Sequence, residues 1–170
     1  FELILSKLRH LFLFAKMLEN GLLAHLKALA RDSCEVLIVD GGSEDGSPAI
    51  AERAGFTVLR SARGRARQMN AGAAQAAGEA LLFLHADTQL PEGAVALVTQ
   101  ALANHAHHWG RFNVRISGRH VMLRIVAHMM NLRSRWTGIA TGDQAMFVSR
   151  AAFDAVGGFA DQPLMEDVEL

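Results

Sequence analysis

Three short apolar runs, each followed by a helical stretch, constrain this chain more than any other feature. They are "EVLIV" (Glu35 to Val39), "FTVLR" (Phe56 to Arg60) and "ALLFL" (Ala80 to Leu84). Runs of this length and apolarity read as strands, the first of them covered on both faces. Between them, "SPAIAERAG" reads as a helix, with Ser47 as N-cap, Pro48 at the first helical position and Gly55 as the stop. "GRARQMNAGAAQAAG" reads as a helix opened by Gly64 and closed by Gly78, and "PEGAVALVTQALANH" as the helix after the third strand. Strands alternating with helices predict βαβ units, hence an α/β fold with a mostly parallel sheet and helices on both faces. Ligands bind such sheets at the carboxyl ends of the strands. Asp40 leaves the first run there, and Asp87 leaves the third, two residues after His85.

The flanks are read the same way. Leucines at helical spacing (Leu11, Leu18, Leu22, Leu26, Leu29) predict mostly helix from Leu8 to Ala30. The opening "FELILSKLRHLFLFAK" is broken by Lys7 and Arg9, so it reads as neither a membrane span nor a signal peptide. After Trp109, "WGRFNVRISG" reads as a strand, "RHVMLRIVAHMMNLRSRW" as a basic amphipathic helix, "AMFVS" as a strand and "RAAFDAVGGF" as a short helix. No linker is visible, which predicts one domain. The chain starts on Phe1 and stops within "MEDVEL", so both ends read as cut.

Charge narrows the function. Lys plus Arg and Asp plus Glu are 17 each, so bulk charge gives no reason to expect a nucleic-acid partner, and any phosphate recognition must be local. The single cysteine, Cys34, excludes an internal disulfide and fits a reducing compartment.

Local chemistry concentrates at a few positions. Asp40 opens "DGGSEDGS", where it can accept hydrogen bonds from a ribose or a base, or cap its own turn. Arg65 and Arg67 fall in the first turns of a helix, where the dipole disfavours cations, so a bound anion would suit them. Asp87 can serve Mg²⁺ or Mn²⁺ when phosphate oxygens complete the shell, with His85 a second ligand or a nucleotide contact; capping the next turn is the alternative for Asp87. "TGDQ" (Thr141 to Gln144) and "MEDVE" (Met165 to Glu169) add carboxylates. Adjacent Glu166 and Asp167 diverge, so one of them faces a given substrate atom, and a carboxylate beside a hydroxyl acceptor can act as general base. "HAHHW" reads as an exposed helix end, because adjacent His107 and His108 chelate one ion poorly. Met122, Met129 and Met130 read as core filler, with an adaptable acceptor surface as the alternative.

The ordered set "VDGGSEDGS", "GRARQMNAGA", "LLFLHADTQLP", "GDQAMFVSRAAFDAVGGF" and "MEDVEL" resembles family 2 glycosyltransferases, and within them the bacterial arsenosugar-biosynthesis-type subgroup. The resemblance covers residues 22–170 and implies a GT-A domain there, with residues 1–21 as an atypical helical segment. It implies inverting transfer of a sugar from a nucleotide-sugar, a UDP-sugar, to an acceptor hydroxyl, with a divalent metal (Mn²⁺ or Mg²⁺). It implies Asp40, Arg65, Arg67 and His85 at the nucleotide, Asp87 on the metal, Gly142, Asp143, Gln144 and Glu166 on the sugar or acceptor side, and Asp167 as base. The sequence does not name the acceptor, for which a lipid or a small molecule is the expectation, and the expected setting is the cytoplasm or the inner face of a membrane, touched by the basic helix. His85 stands where the family's Asp-x-Asp motif starts. The segment before Leu22 lacks the family's first strand, and the chain stops just after the base. A sugar-phosphate nucleotidyltransferase is a second reading, but its Gly-rich basic loop near the start is missing. A nucleotide-binding fragment without turnover is a third.

Overall fold

The computed structural model describes residues 6–7, 12–13, 20–32, 34–85, 88–103, 107–141 and 144–161. In chain order these form β1 (Ser6–Lys7), β2 (Phe12–Leu13), α1 (Asn20–Arg31), β3 (Cys34–Glu35), β4 (Leu37–Asp40), α2 (Ser47–Arg53) and β5 (Thr57–Arg60). Then come α3 (Arg65–Gln75), β6 (Ala80–Leu82), α4 (Ala94–Ala103), β7 (Trp109–Arg111), α5 (Val121–Thr137), β8 (Met146–Ser149) and α6 (Arg150–Val156).

Two ladders organise the molecule. β2, β4 and β5 pair in parallel in that order, with Leu37 opposite Thr57 and Asp40 opposite Arg60. β6, β8 and β7 pair antiparallel in that order, with Leu81 opposite Val148 and Gly110 opposite Phe147. The short β1 and β3 add an antiparallel pair. The parallel βαβ expectation thus holds across α2, and β6 takes β8 as its antiparallel neighbour.

The continuous apolar runs make sense against these ladders. Side chains alternate across a strand, and both faces here are covered. Val36, Ile38, Leu82, Leu84 and Phe147 pack on one face with Leu26 and Leu29 of α1, Ala51 of α2, and Val95 and Val98 of α4. Leu37, Val39, Leu81, Phe83, Met146 and Val148 pack on the other with Ala66, Met69 and Ala73 of α3 and Phe153 of α6. Phe83 also meets Phe159 edge-on, with ring centroids 4.6 Å apart.

Several boundaries differ from expectation. Of the helix expected from Leu8 to Ala30, the described residues hold α1 from Asn20, and Phe12–Leu13, expected to be helical, form β2 instead. β2 pairs in parallel with β4, so a short first strand stands where none was expected. It falls in the aromatic run "FLF", which suits a strand better than the leucine spacing suggests. The α2 cap moves back one residue: Gly46 takes it, in the left-handed region at φ +77°, and Ser47 becomes the first helical residue. The Ser47 N–H is met by Asp45 Oδ1 at 3.0 Å. α3 ends at Gln75, before Gly78: Ala76 turns to extended backbone, and Arg150 meets the carbonyls on either side of that turn. That guanidinium donates to Ala73 O at 3.1 Å, Ala76 O at 2.7 Å and Gly78 O at 2.9 Å. The expected strand from Trp109 pairs only as far as Arg111, and the Asn131 side chain then takes both backbone groups of Val114. Met122 and Met129 are exposed on α5 rather than buried as core filler. No helix among the described residues is long and apolar enough to cross a membrane.

Candidate functional site

The parallel ladder sets a rim. β4 and β5 end together at Asp40 and Arg60, and the Ser61 N–H donates to the Asp40 carbonyl at 2.9 Å. Asp40 is 1% exposed. Its carboxylate accepts from the Gly42 N–H at 3.1 Å and from the Ser43 N–H at 3.0 and 3.2 Å. A carboxylate taken out of water needs such donors. Asp40 therefore shapes the loop that follows it, whatever else it contacts.

Gln68 stitches that loop to the next one. With its amide oriented to suit its neighbours, it accepts from the Gly41 N–H at 2.7 Å and donates to the Gly64 carbonyl at 2.8 Å. The approach is close: a Cβ on Gly41 would lie 2.0 Å from the end of the Gln68 amide, which would have to shift. The loops after β4 and β5 are thereby held in one register.

The third strand end joins through Arg65. It is the first residue of α3, and its guanidinium donates to His85 Nε2, just past β6. A guanidinium carries only donors, so Nε2 is the acceptor and the ring proton sits on Nδ1. This contact brings the carboxyl ends of β4, β5 and β6 to one rim. It also occupies the nitrogen that a metal would need.

Arg67 turns elsewhere. Its Nε donates to both carboxylate oxygens of Asp161, at 3.0 and 2.9 Å. Both side chains are more than half exposed, so the pair adds little stability. For this arginine the chain itself supplies an anion at the helix start.

Gln144 is buried on the other ladder. Its amide oxygen accepts from the Thr141 N–H at 3.3 Å, and its amide nitrogen donates to Asn131 Oδ1 at 3.4 Å. The next residue, Ala145, is buried at φ +48°, a left-handed conformation that costs a non-glycine residue about 1–3 kcal/mol. Arg111 braces the same corner, donating to Asn113 Oδ1 and to the Asn131 carbonyl. Burial, and then the charge of Arg135, lower its pKa from the usual arginine value.

Asp87, Gly142, Asp143, Glu166 and Asp167 lie outside the described residues. Among the described residues no group of three His, Cys, Asp or Glu is placed to hold a metal ion. The segment following Asp87 is nevertheless anchored. The Leu90 N–H donates to His25 Nε2 of α1 at 3.1 Å, and burial pushes the pKa of His25 below the usual histidine value.

Four residues matter here that the sequence reading passed over. Gln68 and Asn70 both sit within "GRARQMN". Gln68 is buried on the helix face shared with Met69 and Gly72, and a polar side chain on a core face is the signal that could have found it. Asn70 clamps Phe159, donating to its carbonyl at 2.8 Å and accepting from its N–H at 2.9 Å. Asp161 and His25 carry no such signal, since each acts on a residue 65 or more positions away.

Comparison with known proteins fits this architecture. The model of Glycosyl transferase family 2 matches residues 15–157. This chain belongs to that family. No curated protein matches the sequence of this family 2 member. Among solved structures, glucosyl-3-phosphoglycerate synthase from Mycobacterium tuberculosis, in complex with Mn²⁺, UDP-glucose and phosphoglyceric acid, is similar with a TM-score of 0.68 at 14% identity. The likeness covers 95% of this chain and 62% of that one. Mannosyl-3-phosphoglycerate synthase from Rubrobacter xylanophilus is similar with a TM-score of 0.63 at 18% identity, over 89% of this chain and 55% of that one. At these identities the likeness shows the fold, the α/β GT-A fold. The family 2 chain spans less than two thirds of the length of either.

Proposed function

We propose that this family 2 member transfers a sugar from a nucleotide-sugar, a UDP-sugar, to an acceptor hydroxyl with inversion, and that it uses a divalent metal. The observation that carries the reading is the Arg65–His85 contact, which gathers three strand ends at the rim beside Asp40. Support also comes from the neighbours' own ligands, Mn²⁺ with UDP-glucose and phosphoglyceric acid in one and UDP alone in another. The motif order supports placement in the arsenosugar-biosynthesis-type subgroup. Cys34, the single cysteine of this sequence, is buried, which suits a cytoplasmic setting.

In this reading the backbone around Gly41 and Ser43, shaped by Asp40, receives the base and ribose, with His85 beside them. Arg65 lies toward the phosphates, where a guanidinium suits an oxyanion, and Arg67 would join it there by exchanging the exposed Asp161 carboxylate for a phosphate. A divalent ion held by Asp87, with phosphate oxygens completing its shell, would supply charge neutralisation for the departing diphosphate. His85, with Nε2 engaged by Arg65, is left to the nucleotide rather than to the metal. Gly142, Asp143, Gln144 and Glu166 border the sugar and acceptor. Asp167 removes the proton of the acceptor hydroxyl as it attacks, and the bound donor holds the anomeric carbon in line.

Calorimetric titration with UDP, with and without Mn²⁺, tests the donor side. Asp87→Ala is expected to lose the metal-dependent part of the affinity. Asp167→Asn is expected to keep UDP binding and to lose transfer. UDP affinity that ignores both Mn²⁺ and Asp87→Ala sinks the metal assignment, and transfer surviving Asp167→Asn removes that residue as base.

A further inference from the structure

We propose that the outer face of α5 docks on an anionic membrane surface. The helix is built inside out for a solvated surface helix. Ala127 and Ser134 are buried on its inner side. On the opposite side Val121, Ile125, Met129 and Trp136 line up at spacings of four, four and seven residues, and Met129 and Trp136 are 63% and 80% exposed. Helical surfaces in water carry polar groups there, and a contiguous apolar stripe marks an interaction site. Met122 and Val126, also exposed, widen the stripe.

Charge decides the occupant. Arg124, His128 and Arg135 follow helical spacing along one edge of the stripe, and Arg133 lies by the other. The stretch 94–142 carries six arginines and no Asp or Glu, in a chain whose net charge is zero. A second copy docking through the same face would set arginine against arginine, since a two-fold interface repeats one patch on both sides. An anionic lipid surface answers both features at once: headgroups for the arginines and the acyl boundary for the apolar stripe. Trp136 near the helix end is the side chain that favours this interface. With no described helix able to cross a membrane, α5 would lie on the surface rather than span it. The same helix carries Asn131, which touches Gln144, so docking would bring that corner of the molecule to the lipid.

The test is flotation of the full chain with phosphatidylcholine vesicles, with and without phosphatidylglycerol. Trp109→Phe leaves Trp136 as the sole tryptophan and thus as a fluorescence reporter. The expected result is binding and a blue shift of Trp136 only with phosphatidylglycerol, weakened by salt. Met129→Glu should lower the affinity about tenfold or more, and Arg124→Gln about fivefold. Both residues are exposed, so the variants should melt as the wild type does. No binding to phosphatidylglycerol vesicles overturns the proposal. So does binding that ignores both substitutions, or a self-associated chain that Met129→Glu turns into monomer while vesicles stay unbound. UDP titration does not involve this face, so failure here leaves the transfer reading standing, and the reverse holds.

Discussion

Around β4, β5 and α3, Asp40 and Gln68 are buried, Asn70 is half-buried, and each is used. Asp40 holds its own loop, Gln68 bridges two loops, and Asn70 clamps Phe159. Around α5 the opposite holds: Met129 and Trp136, two large apolar side chains, stand in solvent beside arginines. The first region spends its polarity on fixing strand ends to one another, which is what a preorganised small-ligand rim needs. The second leaves apolar area uncovered, which folding alone does not reward. One region is finished by the chain itself, and the other is complementary to something outside it.

The comparison can be broken most forcefully at Arg150, which ties the end of α3 to the junction of β8 and α6. It sits at the start of α6, directly after β8, and caps α3 by donating to three carbonyls. Arg150→Ala leaves those carbonyls without their charged donor and is expected to cost about 3 kcal/mol of stability, read from the urea midpoint. A loss below about 1 kcal/mol would mean that water or a 3₁₀ turn replaces the cap, and that α3 is held by its packing alone. A smaller effect of the same kind is expected at the rim. Gln68→Ala strands the Gly41 N–H, while the Gly64 carbonyl keeps the backbone N–H of residue 68, at a cost of about 1–2 kcal/mol. It should also weaken UDP binding, because the two loops lose their common register. Unchanged UDP affinity in a folded Gln68→Ala chain would show that the rim does not depend on this stitch.

These two residues also show what the sequence could and could not convey. The buried runs, the alternation and the strand-end positions of Asp40 and His85 were legible, because apolar periodicity and turn glycines are local signals. The cap of α3 was misread because Gly78 is a local stop signal, whereas Arg150 acts from more than 70 residues away. β2 was missed because two paired residues leave almost no pattern, and its partner β4 lies some 25 positions on. Arg67 was read as awaiting an external anion, and no periodicity could announce Asp161 as its partner. Met122 and Met129 were weighed first as core, since helical spacing gives the stripe but not the side on which the fold places it.

pH offers a finer probe of the first region. His25 is held neutral by burial and accepts from the Leu90 N–H, fixing the segment just after Asp87. Its folded pKa lies below its unfolded value of 6.5, so the unfolded chain binds the proton first as pH falls. Stability from this group is therefore intact above about pH 6.5 and is lost as pH drops through 6.5 toward the lower folded value. Protonation also turns Nε2 into a donor facing a donor, forfeiting a hydrogen bond of about 1 kcal/mol. The wild type should lose more stability than His25→Gln between neutral and mildly acidic pH, as measured by urea unfolding at each. Parallel losses in the two proteins would assign the acid sensitivity to other groups.

The smallest expected effect is the most telling for α5. If its apolar stripe served the fold, charging it would destabilise the chain as a core lesion does, by about 2–5 kcal/mol. If the stripe is addressed outward, Met129→Glu removes nothing the folded chain buries, and the urea midpoint should stay within about 0.5 kcal/mol of wild type. A glutamate at that place also lies near arginines rather than near acids, so no new repulsion offsets the neutrality. A large loss from Met129→Glu would erase the contrast between the two regions, making α5 part of the same self-contained core as α3. A neutral result leaves an apolar face that the chain does not need for folding, and an apolar face without a folding role calls for a binding one.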